Sequence, residues 1–259
     1  MNRIKSLFEK KKSRVLSVYF SAGYPHLEDT VPVLEALSDN GADMIEIGMP
    51  FSDPIADGPV IQQSNKIALD NGMSLKVLFE QLENFDNKND IPILLMGYLN
   101  PVMQYGMEAF CESCQRAGVD GVILPDLPMD EYQSHHKELF DSFGLLNILL
   151  ITPQTTETRI CKIDKLSGGF VYMVSSASTT GVKKSLSKDQ LDYFARINKM
   201  ELKNPRLIGF GISDNESFIQ ACDYANGAII GSAFIKLLSE SKAIRDDVSK
   251  FVLSIKHGN

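Results

Sequence analysis

The chain of 259 residues has no tryptophan, only four histidines and four cysteines, and no low-complexity tract. The missing tryptophan excludes nothing, but the other shortages narrow the chemistry. Cys111 and Cys114 form one close pair inside a helical pattern, with no second pair and no strand-to-loop placement, so neither a paired-cysteine metal site nor a redox motif is spelled out. His135 and His136 are adjacent on a polar helical stretch, where side chains diverge by about a hundred degrees. Both are expected to be solvated, and no metal site is expected. Lys10-Lys11-Lys12 is the one basic cluster in a chain of net charge -7 and pI near 5.2, which argues against a nucleic-acid or anionic-membrane partner. No apolar run approaches membrane-spanning length, and residues 1–12 are charged throughout where a signal peptide needs an apolar core. The expected location is the cytoplasm. A Gly-rich dinucleotide fingerprint is missing too: after the first strand candidate stands Phe20-Ser21-Ala22-Gly23-Tyr24-Pro25.

What is present is a strict alternation of short apolar runs with amphipathic stretches. Strands are expected over residues 15–20, 44–47, 91–96, 121–124, 147–151, 170–174, 206–209 and 227–230. Helical patterns fill 27–39, 60–68 with 75–85, 107–117, 131–143, 157–165, 188–198, 215–222 and about 241–256. Strands this apolar are buried on both faces, as parallel strands under helices are. Eight units of about 32 residues, with no linker between them, predict an α/β fold. The expected form is a (β/α)8 TIM barrel, a single domain over 1–259; an open doubly wound sheet is the competitor. The residues after each strand then line one mouth, where barrel enzymes keep their sites.

The most informative segment is residues 45–59, IEIGMPFSDPIADGP. Glu46 sits in an apolar strand end, where a carboxylate is costly unless it is neutralised or paired. Asp53 and Asp57 follow in a loop punctuated by glycine and proline, free to cap the next helix or to face a ligand. Either feature alone reads as structural. Together, at one strand-to-loop junction, they read as an acid-base site.

Two further loops carry glycines: Gly209-Phe210-Gly211-Ile212-Ser213 after the seventh strand, and Gly231-Ser232-Ala233 after the eighth, opening a short helix over 233–238. In a barrel these positions suit phosphate, held by backbone N–H groups and a helix N-terminus. Thr180-Gly181 after the sixth strand would add a third wall. Phe20, Tyr98, Ile123, Ile151, Tyr172, Phe210 and Ile229 stand at neighbouring strand ends and are expected to line a flat apolar slot beside the phosphate loops.

The junction segment closely resembles the signature of the tryptophan synthase alpha subunit family, and the likeness runs the full length. Ser21-Ala22-Gly23-Tyr24-Pro25 resembles the family's first loop, Leu124-Pro125-Asp126-Leu127-Pro128 its fourth, and the two glycine loops its phosphate loops. The resemblance implies retro-aldol cleavage of indole-3-glycerol phosphate to indole and glyceraldehyde 3-phosphate, with Glu46 and Asp57 as the catalytic pair. It implies no cofactor in this chain. It also implies a beta-subunit partner that carries pyridoxal phosphate, an alpha-beta-beta-alpha heterotetramer, and an interface that includes Asp53, Pro54 and residues 101–106. One loop departs from the family pattern: in residues 175–181, Thr180 and Gly181 match, whereas Ser176 and Ser178 replace an Arg and a Gly found in many members.

Two other readings compete. A sugar-phosphate isomerase on the same barrel would need polar strand ends, and a non-catalytic regulatory subunit would have no use for a buried Glu46.

Overall fold

The computed structural model describes residues 2–175, 187–209 and 211–258; Thr180, Gly181 and Phe210 lie outside these. The expected runs all form parallel strands: β1 (Val15–Ser21), β2 (Met44–Gly48), β3 (Ile93–Met96), β4 (Gly121–Ile123), β5 (Leu146–Asn147), β6 (Leu149–Ile151), β7 (Val171–Val174), β8 (Arg206–Gly209) and β9 (Gly227–Ile230). They make one sheet in the order β5-β4-β3-β2-β1-β9-β8-β7-β6. All residues of β1, β2 and β9 are buried, as strands covered by helices outside and packed side chains inside must be.

The count is nine rather than eight because the expected fifth strand is broken in two. The sheet's free ends, β5 and β6, are consecutive in the chain and only Ile148 separates them. The Ile148 N–H donates to Val122 O at 2.9 Å and the Gly168 N–H to Asn147 O at 2.8 Å, so backbone bonds reach both neighbours. At Leu149 the acceptor is instead the Ser167 hydroxyl, at 2.9 Å, and this side chain interrupts the ladder. The barrel is thus nearly closed, with its break inside one strand.

The helix Arg3–Lys10 covers the end of the barrel opposite the mouth. Asn2 caps it through a 3.0 Å bond from Ile4 N, and Ile4 is fully buried. Asp120, just before β4, accepts from Arg3 Nε at 2.9 Å and from Ile93 N at 2.9 Å, so one carboxylate joins this helix to β3. The helix Leu99–Tyr105 has no counterpart among the sequence-predicted helices. Its first N–H is satisfied from another loop, by both oxygens of Asp126 at 2.9 and 3.0 Å, and no local capping motif announces that.

His136 corrects an expectation. A π-helical stretch, Tyr132–His136, alters the turn, leaving the His135 side chain 65% exposed and the His136 side chain only 14% exposed. Cys111 and Cys114 are buried thiols. No helix among the described residues is long and apolar enough to cross a membrane.

Candidate active site

Parallel pairing decides which side chains enter the barrel, because directly paired residues share a face and alternate residues change face. Tyr19 pairs with Glu46 and Ser17 with Met44, while Phe20 pairs with Ile47. From Glu46 the inward face passes to Leu94 and Met96 on β3, to Ile123 on β4, and through β1 to Ile229 on β9. Leu150 pairs with Tyr172, and Ile151 with Met173. Ile123, Tyr172 and Ile229 therefore share the face of Glu46. Phe20 and Ile151 do not: they point to the helical layer, and both are fully buried there. The inward places on their strands belong to Tyr19 and Leu150. A period of two makes a one-residue slip a change of face. The signal in β1 was the run of hydroxyl side chains at Ser17, Tyr19 and Ser21, alternating with apolar Leu16, Val18 and Phe20.

Glu46 is fully buried at the middle of β2. Its Oε1 accepts a 2.7 Å hydrogen bond from the Ser17 hydroxyl, and its Oε2 has no hydrogen-bond partner among the described residues. Burial pushes its pKa up to about 7, with the Ser17 bond opposing the rise. Glu46 is thus poised between its acid and its base form at neutral pH.

Asp57 reaches the same interior from the loop after β2. Gly58 and Pro59 start the helix Pro59–Asp70 immediately beyond it. That helix is anchored to β1 through Ser64 Oγ, 2.7 Å from Ser21 Oγ, and through Asn65 Oδ1, which accepts from Ser21 Oγ at 3.2 Å. The loop is pinned from β3's side by Tyr98, whose hydroxyl donates to Asp57 Oδ2 at 3.2 Å and accepts from Ala56 N at 3.0 Å. Phe51 packs on the Tyr98 ring with centroids 5.2 Å apart. Burial raises the Asp57 pKa to about 6, opposed by the Tyr98 bond, so Asp57 is mostly ionised at pH 7.

Two tyrosines complete the interior. Burial first, and then the fields of the carboxylates, push both phenols up: Asp57 and Glu46 act on Tyr19, and Glu46 and Asp57 on Tyr172. Each occupies space that a glycine on the next strand leaves free. A Cβ on Gly48 would fall on the Tyr19 hydroxyl, and one on Gly209 on the Tyr172 hydroxyl. Gly48→Ala is accordingly expected to destabilise the fold by about 2 kcal/mol, the usual cost of overpacking. Tyr19→Phe in the Gly48→Ala background should recover part of that loss. A double-mutant cycle by urea unfolding checks it, and strictly additive costs would count against the contact.

The glycine loops stand at the same mouth. Gly211 has φ +81, and among the described residues the nearest atom to a Cβ placed there is Ser175 Oγ at 3.8 Å. Gly231 is the N-cap of the helix Ser232–Glu240 and offers no side chain to its first N–H groups. Ser232 is exposed at that helix start. These N–H groups have no partner within the helix and suit an anion.

The outer rim is mixed. Asp53 is exposed and Pro54 is buried, whereas Ile55 is 88% exposed and Met103, on the next loop's helix, is 55% exposed. Among the described residues no cluster of three His, Cys, Asp or Glu is placed to hold a metal ion.

The chain is similar to known proteins over nearly its whole length. Residues 5–257 match the family described as tryptophan synthase alpha chain. The tryptophan synthase alpha chain of Flavobacterium psychrophilum is 54% identical over 255 residues, covering 98% of this chain and 100% of that one. The crystal structure of tryptophan synthase subunit alpha from Legionella pneumophila superposes with TM-score 0.90 at 33% identity, over 100% of this chain and 98% of that one. A chain of the tryptophan synthase complex from Pyrococcus furiosus gives 0.85 at 33% identity, over 95% and 98%. The match over residues 5–257, with relatives more than half identical along nearly the whole chain, places the chain in the tryptophan synthase alpha chain family.

Proposed function

We propose that this chain cleaves indole-3-glycerol phosphate to indole and glyceraldehyde 3-phosphate by a retro-aldol reaction. The observation that carries this reading is a buried and a half-buried carboxylate at one barrel mouth, both raised above their ordinary range. Glu46 is poised at about pH 7, and Asp57, near 6, is mostly ionised at that pH.

The reaction needs one proton delivered and one removed. Glu46 in its acid form protonates indole C3, which places positive charge on the ring nitrogen. Asp57, ionised, faces that nitrogen and stabilises the charge. As the bond from C3 to the glycerol chain breaks, the hydroxyl on the departing carbon becomes an aldehyde, and its proton returns to the Glu46 carboxylate. Indole leaves with Glu46 again in its acid form, so the proton balance closes over one turnover. The phosphate is held by the N–H groups at Gly211 and at the Gly231–Ser232 helix start; Thr180, Gly181 and Phe210 belong to the same proposed site. Tyr98, Ile123, Tyr172 and Ile229, with Tyr19, Met96 and Leu150, form walls for the indole plane. No group of the chain's own beyond these side chains is needed.

The partner follows from the product. Indole is small and apolar and escapes readily into solution, so the mouth gains by docking on an enzyme that consumes it. In this family that enzyme is the pyridoxal-phosphate beta subunit, in an alpha-beta-beta-alpha heterotetramer, and the expected compartment is the cytoplasm. Ile55 and Met103 support such a rim surface, since both are apolar and exposed. Asp53 joins them, while buried Pro54 shapes the loop.

The test is release of indole from indole-3-glycerol phosphate by the purified chain, alone and with its cognate beta protein. Slow release alone and a many-fold rise on mixing are expected. Asp53→Ala should blunt the rise without changing the slow rate. No release under either condition would sink the reading.

A further inference from the structure

The Glu46 carboxylate has two oxygens in unequal surroundings. Oε1 is held by Ser17, and Oε2 has no partner among the described residues. Ser17 and Glu46 are both fully buried. On β1, Ser17 pairs with Met44 and Tyr19 pairs with Glu46, so Ser17 lies one pleat below the carboxylate, on the side away from the mouth. Serine has a single O–H to give. We propose that Ser17 is a positioning residue for Glu46: its hydroxyl pins Oε1 from below, so that Oε2 alone faces the mouth and carries the proton to and from substrate.

The physical need is clear from the side chain. The terminal torsion of glutamate is broad and roughly two-fold, so an unheld carboxyl exchanges its oxygens and samples many directions. Donation to Oε1 marks that oxygen as the acceptor and puts the acid proton on Oε2. When Glu46 ionises, the same bond stabilises the anion in an interior that otherwise disfavours it. The other titratable groups acting in this interior are Tyr19 on β1, Tyr172 on β7 and Asp57 on the loop after β2. Among the described residues the hydrogen bond to the Glu46 carboxylate comes from Ser17, and it separates the two oxygens.

This inference rests on the retro-aldol reading, and the experiment has one arm that does not. Ser17→Ala and Ser17→Thr are made in the full chain. The first removes the donor and the second keeps it. In the alanine variant kcat for indole release should fall about tenfold, the scale of one hydrogen bond to a charged group, with KM changed by less than about twofold. The pH at which Glu46 titrates should move upward, and threonine should restore both values. The second arm follows the Glu46 carboxyl by infrared difference spectroscopy against Glu46→Gln, across pH and without substrate. Its C=O band should shift in the alanine variant and return in the threonine variant. An alanine variant with wild-type kcat and pH profile overturns the proposal. So does a loss of rate that tracks a lowered unfolding midpoint with no movement of the titration. Absence of indole release by the wild-type chain would remove the functional reading, and the infrared arm would still decide whether Ser17 governs Glu46.

Discussion

Glu46→Gln lowers indole release by at least about a hundredfold, the usual scale for loss of a general acid-base group. The amide matches the carboxyl in size and still accepts from Ser17, but it has no proton to deliver to C3 and no charge with which to take one back. Substrate affinity stays near that of the wild type, because the phosphate and indole contacts lie elsewhere. A second readout comes from stability. The pKa of Glu46 is raised from 4.5 to about 7, so the folded chain favours the neutral acid. The penalty for burying the charge is absent below the unfolded value and grows as pH rises through this window; above about 7 it is complete. Across that range the wild type should lose on the order of 3 kcal/mol relative to Glu46→Gln. Asp57 contributes a slope of the same sign in both proteins, which cancels in the comparison. Urea unfolding of the two proteins at pH 4.5 and pH 8 measures the difference. Near-normal turnover in a folded Gln variant would reject the assigned role.

Gly211→Asp raises the substrate constant about a hundredfold and leaves free indole binding nearly unchanged. A carboxylate some 5 Å from the phosphate at an effective dielectric of about 20 opposes binding by roughly 3 kcal/mol, which is about two orders of magnitude. This position has Ser175 Oγ, at 3.8 Å, as the nearest atom to a Cβ among the described residues. Its φ of +81 is one that Asp tolerates better than most residues, so the fold should survive. Gly231 is the poorer site for this test, since a Cβ there would press the Tyr19 ring at 3.3 Å. Titration with the phosphate substrate and with free indole separates the outcomes: equal losses for both would mean general damage to the barrel.

The barrel was legible because its strands are short, apolar and evenly spaced, and Glu46 stood out because a carboxylate has no structural reason to interrupt such a run. Asp57 was legible from its loop. The walls of the slot were harder. Phe20 and Tyr19 are both aromatic and adjacent, and only the register with β2 reveals that Tyr19 shares the face of Glu46. Ile151 and Leu150 are interchangeable in composition, and the break at Ile148 removes the local alternation that would order them. The Leu99–Tyr105 helix was missed because its cap comes from Asp126, some 27 positions later in the chain. Long-range partners of this kind leave no periodic mark. The exposure of Ile55 beside buried Pro54 is likewise a property of how the loop folds back, with the Asp57 N–H bonded to Pro54 O at 3.0 Å.

The break between β5 and β6 has a consequence for how the site is divided over the wall. It divides the sheet into a first half, β1 to β5, that carries Glu46 and Asp57, and a second half, β6 to β9, that carries both glycine loops and Tyr172. The proposed proton chemistry and the proposed anion grip therefore lie in different halves of the sheet. At the break one ladder position is held by the Ser167 side chain instead of a backbone carbonyl, and the Asn147 amide beside it is buried with neither polar atom satisfied by the described residues. That line is therefore held by two backbone bonds and one side-chain bond rather than by an unbroken ladder. A ligand that reached from the carboxylates to the glycine loops would span both halves, so substrate binding would couple directly to the one interrupted strand of the wall.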